Sequence, residues 1–352
     1  MISENDKVPV AILGATGTVG QRFIQLLEDH PWFEVQALAA SERSKGKLYY
    51  QACNWRLEGK IPSAIREMEV QPLHANMPVK LVFSALPADV ALEVEAQFAK
   101  KGYVVCSNSS AYRYAEDVPI VIPEINPEQL ELIPVQQKNH KWRGLIITSP
   151  NCTSTGIAMP LKPLDDAFGV KQVFATTMQA ISGAGYPGIP ALDISGNVYP
   201  YIKGEESKVE KEPRLLLGHI AGGKKAMHPM AISVQVNRVN VVDGHTASLA
   251  IKFKREVAVE DVYQALEEYQ PPAQSLELNS SPKRVFQLFR EPGRPQPRLD
   301  IWAEDGMAVS VGQVRPCPIL DIKMTTVVHN TLRGAASGSV LNAELLVSQG
   351  LV

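Results

Sequence analysis

A short apolar run, Val8 to Leu13, ends in Gly14-Ala15-Thr16-Gly17-Thr18-Val19-Gly20 and passes directly into a helical pattern through Phe23, Ile24, Leu26 and Leu27. Strand, glycine turn and helix in that order predict a parallel α/β unit. The glycines leave bare backbone at a helix N-terminus, where free N–H groups and the helix dipole suit a pyrophosphate. Their spacing is G-x-x-G-x-x-G rather than the commoner G-x-G-x-x-G, and glycine turns also serve plain packing. Its position immediately after the first strand favours a dinucleotide, with Gly14, Thr16, Gly17, Thr18 and Val19 as the cradle.

A second strand, about Val35 to Ala39, runs into Ala40-Ser41-Glu42-Arg43-Ser44-Lys45-Gly46-Lys47. An NAD-binding unit usually carries an acidic residue near this point for the ribose hydroxyls. Here hydroxyls and cations dominate, and Ser41, Arg43, Ser44 and Lys47 complement a 2′-phosphate, which favours NADP. Glu42 keeps NAD open, although alternation along the chain turns it away from Ser41 and Arg43.

Leu81 to Leu86 reads as another strand, Asp89 to Lys101 as a helix stopped by Gly102, and Tyr103 to Cys106 as the next strand. The polar loop that follows, Ser107 to Arg113, lies where open α/β sheets bind ligands. Arg113 is a candidate anion holder there, against the plainer reading of a solvated loop arginine. Cys106 reads as packing.

Leu145-Ile146-Ile147-Thr148 is then a strand, broken by Ser149-Pro150 ahead of a helical pattern from Thr155. Cys152 falls between them, at a strand tip and near a helix N-terminus that would stabilise a thiolate. Asn151 offers an amide donor to an oxyanion. Free cysteines are often core residues, but polar, turn-like surroundings favour a nucleophile here.

Beyond Cys152 the alternation changes. Lys171 to Ser182 reads as one long strand with Gln179 late in it, followed by the glycine-rich loop Gly183 to Gly188. Glu205 and Lys208 stand at i, i+3, either as a surface ion pair or as paired readers of a cleft. Ala231 to Val242 and Thr246 to Phe253 read as a hairpin turning at Asp243-Gly244, with Arg238 and His245 beside the turn. A helix (Val257 to Tyr269), three strands (Val285 to Leu288, Met307 to Val314, Leu320 to Val328) and a final helix (Thr331 to Val347) complete the chain. The predicted layout is a parallel α/β domain over 1–150, a sheet-rich domain over 151–328, and a last segment, 329–352, returning to the first.

At 352 residues two domains are the natural division, and 45% hydrophobic with 20% charged residues is a globular composition. A net charge of -2 gives no support for nucleic-acid or anionic-membrane binding. Met1-Ile2-Ser3-Glu4-Asn5-Asp6-Lys7 lacks a signal-peptide pattern. Cys53, Cys106, Cys152 and Cys317 are widely spaced, so no zinc site is expected and a reducing cytoplasm fits best. Among the histidines, His30, His74 and His140 have no sequence partner, His219 and His228 fit no zinc motif, and His329 precedes the last helix. His245, after a turn glycine, is favoured as the partner of Cys152.

Six motifs occur in order: Gly14-Ala15-Thr16-Gly17-Thr18-Val19-Gly20, Ser149-Pro150-Asn151-Cys152-Thr153, Gln179-Ala180-Ile181-Ser182-Gly183-Ala184-Gly185, Gly204-Glu205-Glu206-Ser207-Lys208, Arg238-Val239-Asn240-Val241-Val242-Asp243-Gly244-His245-Thr246 and His329-Asn330-Thr331-Leu332-Arg333-Gly334-Ala335-Ala336. Together they resemble aspartate-semialdehyde dehydrogenase of the archaeal and fungal branch, over nearly the whole chain. The resemblance implies a Rossmann-like parallel-sheet dinucleotide-binding domain and an α+β substrate and dimerisation domain with a mainly antiparallel sheet. It also implies NADP-dependent reduction of β-aspartyl phosphate to the semialdehyde, on the route to Lys, Met and Thr, by a homodimer or homotetramer.

By resemblance, Cys152 forms a thioester, His245 is its acid/base, and Asn151 with backbone N–H groups holds the oxyanion. Arg238 grips the α-carboxylate, Glu205 the ammonium, and Gln179 orients the substrate. Lys208 and Arg113 hold the departing phosphate, with Asn108 nearby. Ser182, Gly183 and Asn330 belong to the cofactor side. Ser149 stands where the family commonly has Asn. Two rivals are a malonyl-CoA reductase, whose substrate has no ammonium for Glu205 to read, and a non-catalytic NADP-binding regulator, against which Cys152 and His245 both argue.

Overall fold

The computed structural model describes residues 7–352, so the reading of Met1–Asp6 lies outside the described residues. Six strands form the first sheet: β1 (Val8–Leu13), β2 (Phe33–Ala39), β3 (Val70–Gln71), β4 (Leu81–Ser84), β5 (Val104–Ser107) and β6 (Leu145–Thr148). Their order is β3-β2-β1-β4-β5-β6 and every pairing is parallel. β4, β5 and β6 are buried at every position, as expected of parallel strands covered on both faces. The order reverses between β1 and β4, which opens a crevice at the strands' C-terminal ends.

Helix α1 (Thr18–Leu27) buries Phe23, Ile24 and Leu27 against this sheet, and α2 (Ala88–Lys101) ends at Gly102 in the left-handed region. The final helix of the chain, Ala336–Ser348, returns to the same sheet, where Val340, Leu341 and Leu345 share a core with Val10, Ile12, Phe23 and Phe83. It starts five residues later than the periodicity predicts, because Thr331–Ala335 form a turn first.

The second large sheet is built from β7 (Val170–Gln179), β10 (Ala231–Arg238), β11 (His245–Phe253), β12 (Phe286–Leu288), β13 (Val309–Pro316) and β14 (Ile322–Val328), in the order β10-β7-β11-β14-β13-β12. β8 (His219–Ala221) and β9 (Lys224–Ala226) make a separate two-stranded ribbon. The pairings of β7 with β11, β11 with β14 and β14 with β13 are antiparallel, and those of β10 with β7 and β12 with β13 are parallel.

β10 and β11 are not the hairpin that the sequence predicts, because β7 lies between them and pairs with both. Residues 239–244 cross the end of β7, held by Val239 N–H to Gln179 O (3.0 Å) and Ile181 N–H to Val241 O (2.8 Å). Asp243-Gly244 does mark a turn, but turn chemistry specifies a change of direction and not the strand that is met next. The long strand read over 171–182 likewise stops at Gln179, and Ile181–Ala184 form a single 3₁₀ turn.

Helix α3 (Cys152–Phe168) is buried from Thr153 through Leu161, and its Ile157, Met159, Leu161 and Leu164 pack with Val173, Leu249, Ile251 and Met324. Helix α4 (Glu205–Leu216) adds Val209, Leu215 and Leu216 to the same core. The opposite face of the sheet, with Phe174, Ser233, Gln235 and Ser248, is exposed. No helix among the described residues is long and apolar enough to cross a membrane.

Candidate active site

Three strand ends meet at one edge of the second sheet. Gln179 closes β7, Arg238 closes β10 in register with it, and His245 opens β11. All three are buried. Because β7 is the middle strand, Gln179 separates Arg238 from His245, an order that a hairpin would not have produced.

Cys152 comes from the other direction, as the first residue of α3, delivered by β6 of the first sheet. Its Sγ lies 3.2 Å from His245 Nε2. His245 Nδ1 in turn accepts the Ala180 backbone N–H at 3.0 Å. The packing is tight: a Cβ at Gly183 would sit 2.9 Å from His245 Cε1 and 2.9 Å from an Arg238 Nη atom. Only a glycine lets this loop lie against both side chains.

Asn151 is the N-cap of α3, and its Oδ1 accepts from Thr153 N (2.8 Å) and Ser154 N (3.1 Å). Its Nδ2 donates to Glu205 Oε1 at 2.9 Å. The amide expected to serve an oxyanion thus gives one of its two hydrogens to Glu205. The backbone N–H of Cys152 has no intrahelical partner at the first helical position, and the N–H of Thr153 bears on the sulfur.

Burial works against the expected thiolate. Burial, then Glu205, pushes the Cys152 thiol up to about 12, although Arg113 and Arg238 pull against this. Burial, then Arg238 and His329, pushes His245 down to about 3. Desolvation thus opposes the helix dipole at the sulfur and favours the neutral form of both groups. With the pKa raised, the thiolate fraction grows as pH rises. Iodoacetamide labelling of Cys152 should accelerate about tenfold per pH unit between roughly pH 7 and 10. A plateau reached below pH 7 would refute the neutral pair.

Cys152 opens onto a cleft of about 480 Å³ whose walls include Asn108, Arg113, Gln179, Glu205, Lys208 and Arg238. Glu205 and Lys208 stand 3.6 Å apart and face this cleft rather than bulk solvent. Arg113, expected as a free anion holder, is buried and paired: it meets Glu212 Oε1 at 3.2 Å and donates to the Asn108 carbonyl at 2.6 Å. Three buried donors nevertheless lack acceptors: Asn108 Nδ2, Arg113 Nε and Arg238 Nε. Buried donors without acceptors are costly, and several on one cleft suit an anionic ligand that supplies them.

On the first sheet, Gly17 is the N-cap of α1 and no side chain caps this end. A Cβ at Gly20 would strike Gly14 O at 2.3 Å, whereas one at Gly17 would meet only that oxygen, at 3.4 Å. Gly20 is thus a packing glycine, while Gly17 leaves space over the uncapped N–H groups of Thr18 and Val19. Ser41, Arg43 and Lys47 are exposed and Ser44 is buried. Glu42 points into solvent and pairs with Lys45 at 3.3 Å. Neither Arg43 nor Lys47 has a carboxylate partner among the described residues. Asn330 accepts the Gly244 N–H and donates to Ser182 Oγ, both at 2.8 Å, so it ties the loop around Gly183 to the start of β11. Among the described residues no cluster of His, Cys, Asp and Glu suits a metal ion.

Family models for the semialdehyde dehydrogenase NAD binding domain and dimerisation domain match residues 9–133 and 161–333. The aspartate-semialdehyde dehydrogenase of Archaeoglobus fulgidus is 49% identical over 97% of this chain and 99% of its own. The chain belongs to the aspartate-semialdehyde dehydrogenase family. The Saccharomyces cerevisiae member is 42% identical over 97% of this chain and 98% of its own. The crystal structure of the Candida albicans aspartate-semialdehyde dehydrogenase with NADP superposes with a TM-score of 0.91 at 40% identity, covering 98% of this chain and all (100%) of that one.

In this aspartate-semialdehyde dehydrogenase family member, sequence reasoning passes over Glu212. That side chain is fully buried, receives Arg113 and the Tyr114 hydroxyl, and accepts the Asn151 backbone N–H. A signal is present, since Glu205, Lys208 and Glu212 stand at i, i+3 and i+7 on one helix face. Also missed is the Glu124–Arg333 pair behind Cys152, which joins segments too far apart for any spacing rule.

Proposed function

We propose that this protein reduces β-aspartyl phosphate to aspartate semialdehyde with NADPH, through a thioester on Cys152. One observation carries the reading: a sulfur 3.2 Å from an imidazole opens onto a cleft that holds unpartnered Arg and Asn donors together with a carboxylate. Cys152 attacks the acyl carbon, its S–C bond replacing the C–O bond to phosphate, and the thioester is far easier to reduce than a carboxylate. Arg238 offers a planar fork to the substrate carboxylate, Glu205 a counter-charge to its ammonium, and Gln179 a neutral positioning contact. Lys208, with Asn108 and the spare Nε of Arg113, would hold the phosphate. The Cys152 N–H and His245 face the charge that develops on the carbonyl oxygen.

The cofactor would lie across the Gly14–Val19 turn, with Ser182, Gly183 and Asn330 at its reactive end, and would supply hydride. The outward turn of Glu42 and the unpaired Arg43 and Lys47 support NADP over NAD. Arg43→Ala should weaken NADP by about 1–3 kcal/mol and leave NAD almost unchanged. Equal loss for both cofactors in titrations would make Arg43 a packing residue.

We further propose that 1–150 with 329–352 form the cofactor-binding unit and 151–328 the substrate unit. The exposed face of the second sheet would be covered by a second copy of the chain. Four free cysteines fit a reducing, cytoplasmic setting. The decisive assay is NADP reduction with aspartate semialdehyde and phosphate, set against NADPH oxidation with malonyl-CoA. Turnover of malonyl-CoA alone would overturn the reading, because Glu205 would then have no ammonium to meet.

A further inference from the structure

We infer that Glu212 is a positioning residue: its buried carboxylate aligns Arg113, on the phosphate side of the cleft, with the turn that carries Cys152. Acyl transfer between sulfur and phosphate then depends on it, although it touches neither. The inference rests on the proposed acyl-phosphate chemistry at Cys152. Glu212 stands on helix α4, seven residues after Glu205 and on the same face, while Val209, Leu215 and Leu216 anchor that helix in the core. The side chain has no exposed surface. Arg113, Asn151 and Cys152 line the cleft, and Glu212 lies behind them. Whatever it does for the reaction, it does through those residues.

Both carboxylate oxygens are occupied. Oε1 accepts from Arg113 Nη1 at 3.2 Å and from the Tyr114 hydroxyl at 3.1 Å, and Oε2 accepts the Asn151 backbone N–H at 2.5 Å. Burial, then the Glu212 charge, raises the Tyr114 phenol above its ordinary value, so this hydroxyl stays a donor. Arg113 is held a second time by the Asn108 carbonyl, through Nη2 at 2.6 Å, which leaves Nε as its spare donor. Asn151 is likewise held twice by α4, at its side chain by Glu205 (2.9 Å) and at its backbone by Glu212. The next residue is Cys152. One carboxylate therefore ties two segments, 99 and 61 positions away in the chain, into a single geometry.

Three donors converge on this group, and only a carboxylate accepts with both oxygens. A glutamine of the same shape offers one acceptor and one NH2 group. In either orientation Arg113 loses its anion, and a charge-assisted bond becomes a neutral one or a clash of donors. An alanine releases Asn151 as well, and the sulfur is then free to move from His245 towards solvent. Burial is the largest cause of the raised Cys152 thiol, so a wetter sulfur carries more thiolate. Losing the clamp thus has a distinctive outcome: a thiol that reacts faster with a small reagent in an enzyme that turns over more slowly.

Two measurements on the full chain test this. In the assay with aspartate semialdehyde, phosphate and NADP, Glu212→Gln should raise the KM for phosphate about tenfold and leave the Kd for NADP within about twofold. In an Arg113→Ala background the same substitution should change the phosphate KM by less than about twofold, because no arginine is left to align. An unchanged phosphate KM, or an equal rise with and without Arg113, would overturn the inference and make Glu212 plain support. In Glu212→Ala, iodoacetamide should label Cys152 at least about threefold faster than in the parent while turnover falls. Labelling that is no faster would refute the clamp on the sulfur, and if this variant does not fold, the phosphate KM of Glu212→Gln decides. Turnover by the parent tests the acyl-phosphate reading by itself, and labelling needs no substrate, so the two can fail separately.

Discussion

Cys152→Ser should bind NADP as the parent does and lose on the order of a thousandfold or more in turnover, since a hydroxyl without an added base is a far poorer nucleophile. The substitution is nearly isosteric, and α3 is capped by Asn151 and not by residue 152, so the fold is untouched. Quench-flow trapping checks the same point differently: denatured enzyme should carry an acyl group at Cys152 and none in the serine variant. Retention of most activity by Cys152→Ser would end the covalent mechanism.

Glu124→Ala should destabilise the chain by about 3–5 kcal/mol, the usual result of leaving one charge of a buried pair without its partner. Glu124 and Arg333 are each 1% exposed and joined by two hydrogen bonds, of 2.6 and 2.7 Å. The Arg333 Nε also reaches Met159 Sδ at 3.2 Å, so the guanidinium has nowhere to go. Replacing both partners by apolar residues, Glu124→Leu with Arg333→Met, should recover much of the loss, because the cost lies in the orphaned charge. Urea unfolding of the single and double variants measures this. Gly334 lies against Cys152, where a Cβ would come within 2.6 Å of the Cys152 Cβ, so Glu124→Ala should also change labelling of the thiol. A single-variant loss below about 1 kcal/mol would show that the pair is solvated or adaptable.

The first sheet is readable in the sequence because parallel strands buried on both faces are written as apolar runs punctuated by glycine, and Val8–Gly20 shows this directly. Strand partners in the second sheet are not readable. The alternation in Ala231–Arg238 and His245–Phe253 says which side faces a core, and it is the same whether they pair with each other or with β7. The candidate reactive residues can be named because Cys152, Arg238 and His245 are of unusual type for their local contexts. What each donates or accepts is not legible. The bonds from the Asn151 amide to Glu205, from Arg113 to Glu212 and from the Ala180 N–H to His245 join residues 54, 99 and 65 positions apart. The raised thiol pKa is hidden for a related reason: a helix N-terminus can be seen in sequence, but the burial that opposes it cannot.

The nucleophile's helix is fed by the first sheet yet rooted in the core of the second. Cys152 therefore travels with His245, Gln179, Arg238 and Glu205, while the glycine turn and the Arg43 loop belong to the other body. The chain crosses this joint at Ser149-Pro150-Asn151 and returns after Val328. The sulfur and its hydrogen-bonded neighbours thus share the core of one sheet, while the uncapped turn at Gly17 stands on the other.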